Sequence, residues 1–161
     1  MTTAVTRELS GELRGFREVQ RLAYECAEAV AARLEPGMTE RDAARLQRSW
    51  LRARGVTDWF HLPFAWFGDR TAFTNFRVPL QFFPTGRRLE PGMPFILDMA
   101  PVYKGFTADI GYSGSLGGNP VQARLMADLE AHRELLLREV RERRPLREIY
   151  EDVDRLMVRQ G

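Results

Sequence analysis

The sequence predicts a mixed fold in which helices and strands occupy separate blocks. Three observations carry this. Apolar residues recur at three- and four-residue steps from about Ser10 to Leu34, and a second helical stretch follows up to about Arg54. From Val56 to Ser115 the texture changes to aromatic residues, Gly and Pro in short extended runs. From Asn119 the helical pattern returns and holds to Gly161.

The first helix carries Leu13, Phe16, Val19, Ala23, Ala27, Val30 and Leu34 on one stripe, and the stretch 1–9 ahead of it is expected to lack fixed structure. Glu35-Pro36-Gly37-Met38 reads as a turn. Thr39 is a good N-cap, and Asp42 three residues on completes a capping-box pattern; Gly55 suits the C′ position of that second helix. HLPFAWFG, TAFTNF, PFILDMAP and GFTADIGYS read as strands or extended segments, and PTGRRLEPGMP as a solvent loop. Asn119 and Pro120 then supply an N-cap and a first helical residue, and Pro145 opens a last helix closed by Gly161.

A weak repeat links the two helical blocks. Sliding Gly55 onto Gly161 places Ala43 on Ile149, Trp50 on Leu156 and Leu51 on Met157. Strands follow the first copy, whereas the second stops at its cap. The expectation is a two-fold arrangement whose second half is cut short.

Composition excludes several classes. The formal net charge is only +2, and Lys104 is the sole lysine, so nothing argues for a nucleic-acid partner. Cys26 is the single cysteine, which rules out an intrachain disulfide and suits a reducing compartment; its setting in a helical stripe reads as core. The opening MTTAVTRELSGEL has no apolar signal core, and no run approaches the roughly 18 residues of a membrane span. The expected location is cytoplasmic, with no membrane partner.

Asp98 and Asp109 stand in segments that otherwise read as strands. If 95–103 and 106–114 form a hairpin turning at Tyr103-Lys104, the two lie directly opposite, with Cβ atoms about 4.5–5.5 Å apart. Bare carboxylates at that distance repel. Either one stays protonated, or one or two divalent cations neutralise both, or they sit apart on an open face in water. A one-residue slip caused by Gly105 would send them to opposite faces.

These residues resemble the pita-bread metallopeptidases, which include methionine aminopeptidases, prolidases and X-prolyl aminopeptidases, with creatinase-like relatives. ILDMAPVYKGFTADI supplies two Asp eleven positions apart; LEPGMPFILD is similar to the family's lead-in, and LEPGMTERDAARL to the link between its first two helices. The resemblance covers about 20–161. It implies an α+β pita-bread fold, of which 1–161 would be a single partial domain with an incomplete second half. It also implies a centre of two divalent ions (Mn, Co, Fe or Zn) held by two Asp, one His and two Glu, with Asp98 and Asp109 as the two Asp. The implied activity is metal-dependent hydrolysis of N-terminal peptide bonds, as an aminopeptidase or X-Pro peptidase, with a peptide as substrate. The alternative is a non-catalytic pita-bread module that binds protein.

The resemblance is broken at one place. FGDRTAFTNF aligns with the prolidase-like stretch that ends in His-Tyr, which sets Asn75 on the His and Phe76 on the Tyr. Asn75 keeps a donor but transfers no proton at neutral pH. His61 lies among aromatic residues, either lining a pocket near the metals or satisfied in partial burial. Phe64, Trp66 and Phe67 would form an apolar substrate pocket or pack the core, and His132 reads as solvated. The isolated chain is expected to be inactive, to bind metal weakly, and to self-associate, as a homodimer or otherwise, through the aromatic residues of 64–95.

Overall fold

The computed structural model describes residues 2–74 and 76–161, with side chains from Leu13 onward. The chain divides into two compact units, with the boundary in the sequence between Gly118 and Asn119. The first contains α1 (Thr2–Ala31), α2 (Glu40–Arg52), β1 (Asp58–Phe67), β2 (Pro94–Tyr103), β3 (Phe106–Thr107) and β4 (Ile110–Ser115). The second contains α3 (Pro120–Arg141) and α4 (Leu146–Gln160). Helix α1 starts at Thr2 and so runs through most of the stretch expected to lack structure. That stretch has no Gly or Pro, and a helix once nucleated extends at little cost.

The caps form as the sequence predicts. Thr39 Oγ1 accepts the N–H of Asp42 at 3.2 Å, and the Asp42 carboxylate accepts the N–H of Thr39 at 3.1 Å. Asn119 accepts the N–H of Gln122 at 3.0 Å at the start of α3. Gly15, in the middle of α1, has a packing reason: a Cβ there would lie 2.3 Å from the Phe106 ring.

In the first unit, β2 is central, antiparallel to β1 on one edge and to β3 and β4 on the other. Alternation along β2 sends Phe95, Leu97 and Met99 into one core with Val19, Ala23, Cys26, Ala27 and Val30 of α1, Ala43 and Leu51 of α2, and Ala65 and Phe67 of β1. Asp98 therefore points to the face that α1 and α2 do not cover.

The β2 hairpin differs from the symmetric register in one respect. Its tip is Lys104-Gly105, with φ of 52° and 81°, so both central residues are left-handed, as in a type I′ turn. Tyr103 pairs with Phe106, and Asp98 with Gly111, not with Asp109. The shift is two residues, and a two-residue shift preserves the face. Ala108 and Ile110 are buried in the core, so Asp109 between them projects to the same open face as Asp98.

Three further expectations are corrected. TAFTNF contributes no strand to the described sheet: a 3-10 turn spans Gly68–Ala72, and Phe73 has a left-handed φ of 52°. The stretch PTGRRLEPGMP is pinned to the protein: Leu89 is fully buried, its carbonyl accepts from Gly37 N–H at 2.8 Å, and its N–H donates to Met38 O at 2.9 Å. In the second unit, His132 is half-buried, with Nε2 2.8 Å from Gln160 Oε1. That unit is held by Leu135 and Ile149 and by Arg144, which pairs with Glu139 of α3 and with Glu148 and Asp152 of α4.

Candidate metal centre

The site is built where β1 departs from regularity. Successive partners are Trp59 with Pro101, His61 with Ala100 and Phe64 with Asp98, so each interval holds one extra residue on β1. Pro63 has no N–H to give to the ladder, which favours a bulge there. In a regular strand, His61 and Phe64, three residues apart, would face opposite ways. The bulge turns both to the open face, where their rings stack at 5.2 Å and 11°. From the helix side, Gln47 Nε2 donates to the Phe64 carbonyl at 2.8 Å and secures the bulged backbone.

His61 is held in one tautomer. Its Nδ1 lies 2.9 Å from the Leu62 carbonyl, which can only accept, so Nδ1 carries a proton. In the neutral ring the lone pair is then on Nε2. That atom is 3.3 Å from Asp109 Oδ1 and 3.6 Å from Asp98 Oδ1. The three ligand atoms all lie within 4.8 Å of one another.

Burial raises the Asp98 carboxyl above its ordinary range; His61 opposes this, Asp109 adds to it, and the Met99 N–H opposes it. The Asp98 side chain is 23 % exposed and that of Asp109 59 %, so the pair is open to water from one side. Two carboxylates and an imidazole lone pair converging on an accessible point form a donor set that suits a divalent ion with mixed oxygen–nitrogen preference.

The aromatic residues divide between faces. Phe64 is half-buried on the side that α1 and α2 do not cover, with its ring centroid 5.5 Å from that of Trp66. Trp66, expected in the same pocket, is only 3 % exposed, because Phe73 and Phe82 pack edge-on against its ring. Trp66 Nε1 donates to the Phe82 carbonyl at 2.8 Å. Phe67, expected in the same pocket, is fully buried in the helix-side core, because it is one residue out of phase with Trp66. Asn75 lies outside the described residues.

Two contributors escaped the sequence reading. Glu40, fully buried, accepts from Phe67 N–H at 3.0 Å, Arg70 Nε at 2.9 Å, Thr85 N–H at 2.8 Å and Thr85 Oγ1 at 2.7 Å. Gln47 is the other. Both belong to the buried stripe Glu40, Ala43, Gln47, Leu51 of α2, so polar residues at helical core spacing were the available signal.

The comparisons bear on this geometry. Residues 14–161 match the sequence profile described as Metallopeptidase family M24. Comparison with curated proteins returns no match. Among solved structures, an X-Pro aminopeptidase from Thermotoga maritima is similar with a TM-score of 0.67 and 21% identity over 79% of this chain and 35% of that one. A prolidase from Pyrococcus horikoshii is similar at 0.66 and 19%, over 78% of this chain and 35% of that one. A His350Ala variant of Escherichia coli aminopeptidase P is similar at 0.73 and 15%, over 92% of this chain and 33% of that one. This chain thus spans about a third of the length of each, and the likeness is one of fold, the α+β pita-bread arrangement. With the profile matched along nearly its whole length, the chain belongs to metallopeptidase family M24.

Proposed function

We propose that this chain carries part of the metal centre of a peptidase that hydrolyses N-terminal peptide bonds, as an aminopeptidase or X-Pro peptidase. The observation that carries the reading is the projection of Asp98 and Asp109 from the β2 hairpin to one open face of the sheet. The residues present fit a divalent ion: Asp98 is half-buried, its carboxyl is disfavoured as an anion by burial and by Asp109, and a cation relieves both costs. When bound, divalent ions supply polarisation of the scissile carbonyl and activation of water. Asp98 and Asp109 would hold the metal, and the half-buried Phe64 would offer an apolar contact beside it for a substrate side chain.

The 161 residues alone are proposed to turn over no peptide. Among the described residues the cluster comprises His61, Asp98 and Asp109, with no additional carboxylate to serve as general base. The dinuclear centre implied by the resemblance needs ligands beyond these. The test incubates the chain with Mn²⁺ or Co²⁺ and peptides bearing an N-terminal Xaa-Pro, and measures metal binding by calorimetry for wild type, Asp98→Asn and Asp109→Asn. Expected are no turnover, and metal binding that both substitutions abolish. Binding indifferent to both would sink the metal-centre reading, and turnover by the chain would sink its inactivity.

A further inference from the structure

We propose that His61 is a third metal ligand supplied by this chain, so that His61, Asp98 and Asp109 together hold one divalent ion. This rests on the metal-centre reading above and adds a nitrogen donor to it.

The distances decide between a ligand and an ion-pair partner. A protonated imidazole bonded to a carboxylate sits at about 2.7–2.9 Å. Nε2 stands instead at 3.3 and 3.6 Å from the two carboxylates. Donor atoms that share an ion at about 2.1 Å are separated by about 3.0 Å at right angles and about 3.4 Å at the tetrahedral angle. The observed separations match a shared ion better than a shared proton.

The ring is also prepared for that role. The Leu62 carbonyl takes the Nδ1 proton and leaves the Nε2 lone pair aimed at the carboxylates. A carbonyl on the far nitrogen is the usual device that orients a metal-bound histidine. Stacking on Phe64 fixes the ring plane, and the bulges in β1 bring His61 to the face from which Asp98 and Asp109 project. One imidazole and two carboxylates suit Mn, Fe, Co or Zn rather than Mg or Ca.

The experiment titrates the 161-residue chain with Co²⁺, following calorimetry and the visible ligand-field spectrum. Wild type is expected to bind one ion per chain, with a spectrum that shows a nitrogen donor. His61→Gln is expected to lose affinity by about tenfold or more, with circular dichroism showing the fold intact. His61→Cys is expected to restore binding with a new thiolate-to-cobalt charge-transfer band. If Asp98→Asn abolishes binding while His61→Gln leaves affinity and spectrum unchanged, the inference is overturned and the metal-centre reading stands. Two ions bound per wild-type chain also overturn it. If none of the substitutions at His61, Asp98 and Asp109 changes Co²⁺ binding, both fall.

Discussion

The buried carboxylate of Glu40 accepts the backbone N–H of Phe67 at 3.0 Å, tying the first turn of α2 to the last residue of β1. The same carboxylate receives Arg70 and Thr85 and so anchors two points of the stretch between β1 and β2. Removing it leaves a guanidinium and three donors with one partner fewer in a water-poor place. Glu40→Ala is expected to destabilise by about 3–5 kcal/mol. Glu40→Gln, which keeps an acceptor, should cost about 1–3 kcal/mol. Urea denaturation of the three proteins checks this, and equal costs for Ala and Gln would defeat the argument.

Cys26 is expected to be chemically silent in the folded chain. Burial pushes its thiol up to about 12, with Arg54 pulling weakly the other way. In the unfolded chain it ionises near 9, so the unfolded state loses its proton first. Stability is therefore unaffected below pH 9 and falls by about 1.4 kcal/mol per pH unit between 9 and 12. Cys26→Ala should flatten that part of the profile. A thiol reagent that labels the native protein at pH 8 as fast as the unfolded one would refute it.

The hairpin tip makes a backbone prediction. Gly105 has φ of 81°, which an L side chain adopts only under strain. Gly105→Ala should cost about 1–2 kcal/mol, whereas Lys104→Asn, which puts a residue tolerant of φ 52° at the other central position, should be neutral or stabilising. Denaturation midpoints decide; a neutral Gly105→Ala would contradict the type I′ turn.

Self-association is expected through exposed apolar side chains of β1 and of the stretch 78–83. Phe60, Leu62, Val78, Leu80 and Phe83 are all exposed, and clustered exposed apolar surface marks contact regions. Sedimentation velocity should show concentration-dependent association that Phe60→Ser with Leu80→Ser reduces. A wild-type chain that stays monomeric at high concentration would remove the basis for this.

Much of the local structure was legible. Thr39 with Asp42, and Asn119 with Gln122, are bonds between residues three apart, so the order of side chains along the chain suffices to specify them. The common face of Asp98 and Asp109 was expected from the hairpin but stood against a one-residue slip at Gly105; the slip is of two residues, which keeps the face. The register itself was not: it hangs on whether Lys104 and Gly105 both adopt left-handed backbone, and a non-glycine residue rarely announces that.

The sequence by itself determined the capped helices and the strand-rich centre, since each follows from spacing within a few residues; it placed the two carboxylates on neighbouring strands but left their common face to the turn at Lys104 and Gly105. Only the tertiary structure decided that His61 joins Asp98 across 37 positions, that Phe67 leaves the pocket for the core, and that Glu40 is buried among donors. The physical reason is common to all three. Bulges in β1 and the seating of α2 against the sheet are set by the packing of whole elements. That packing selects which side chains converge, by contacts no local pattern encodes.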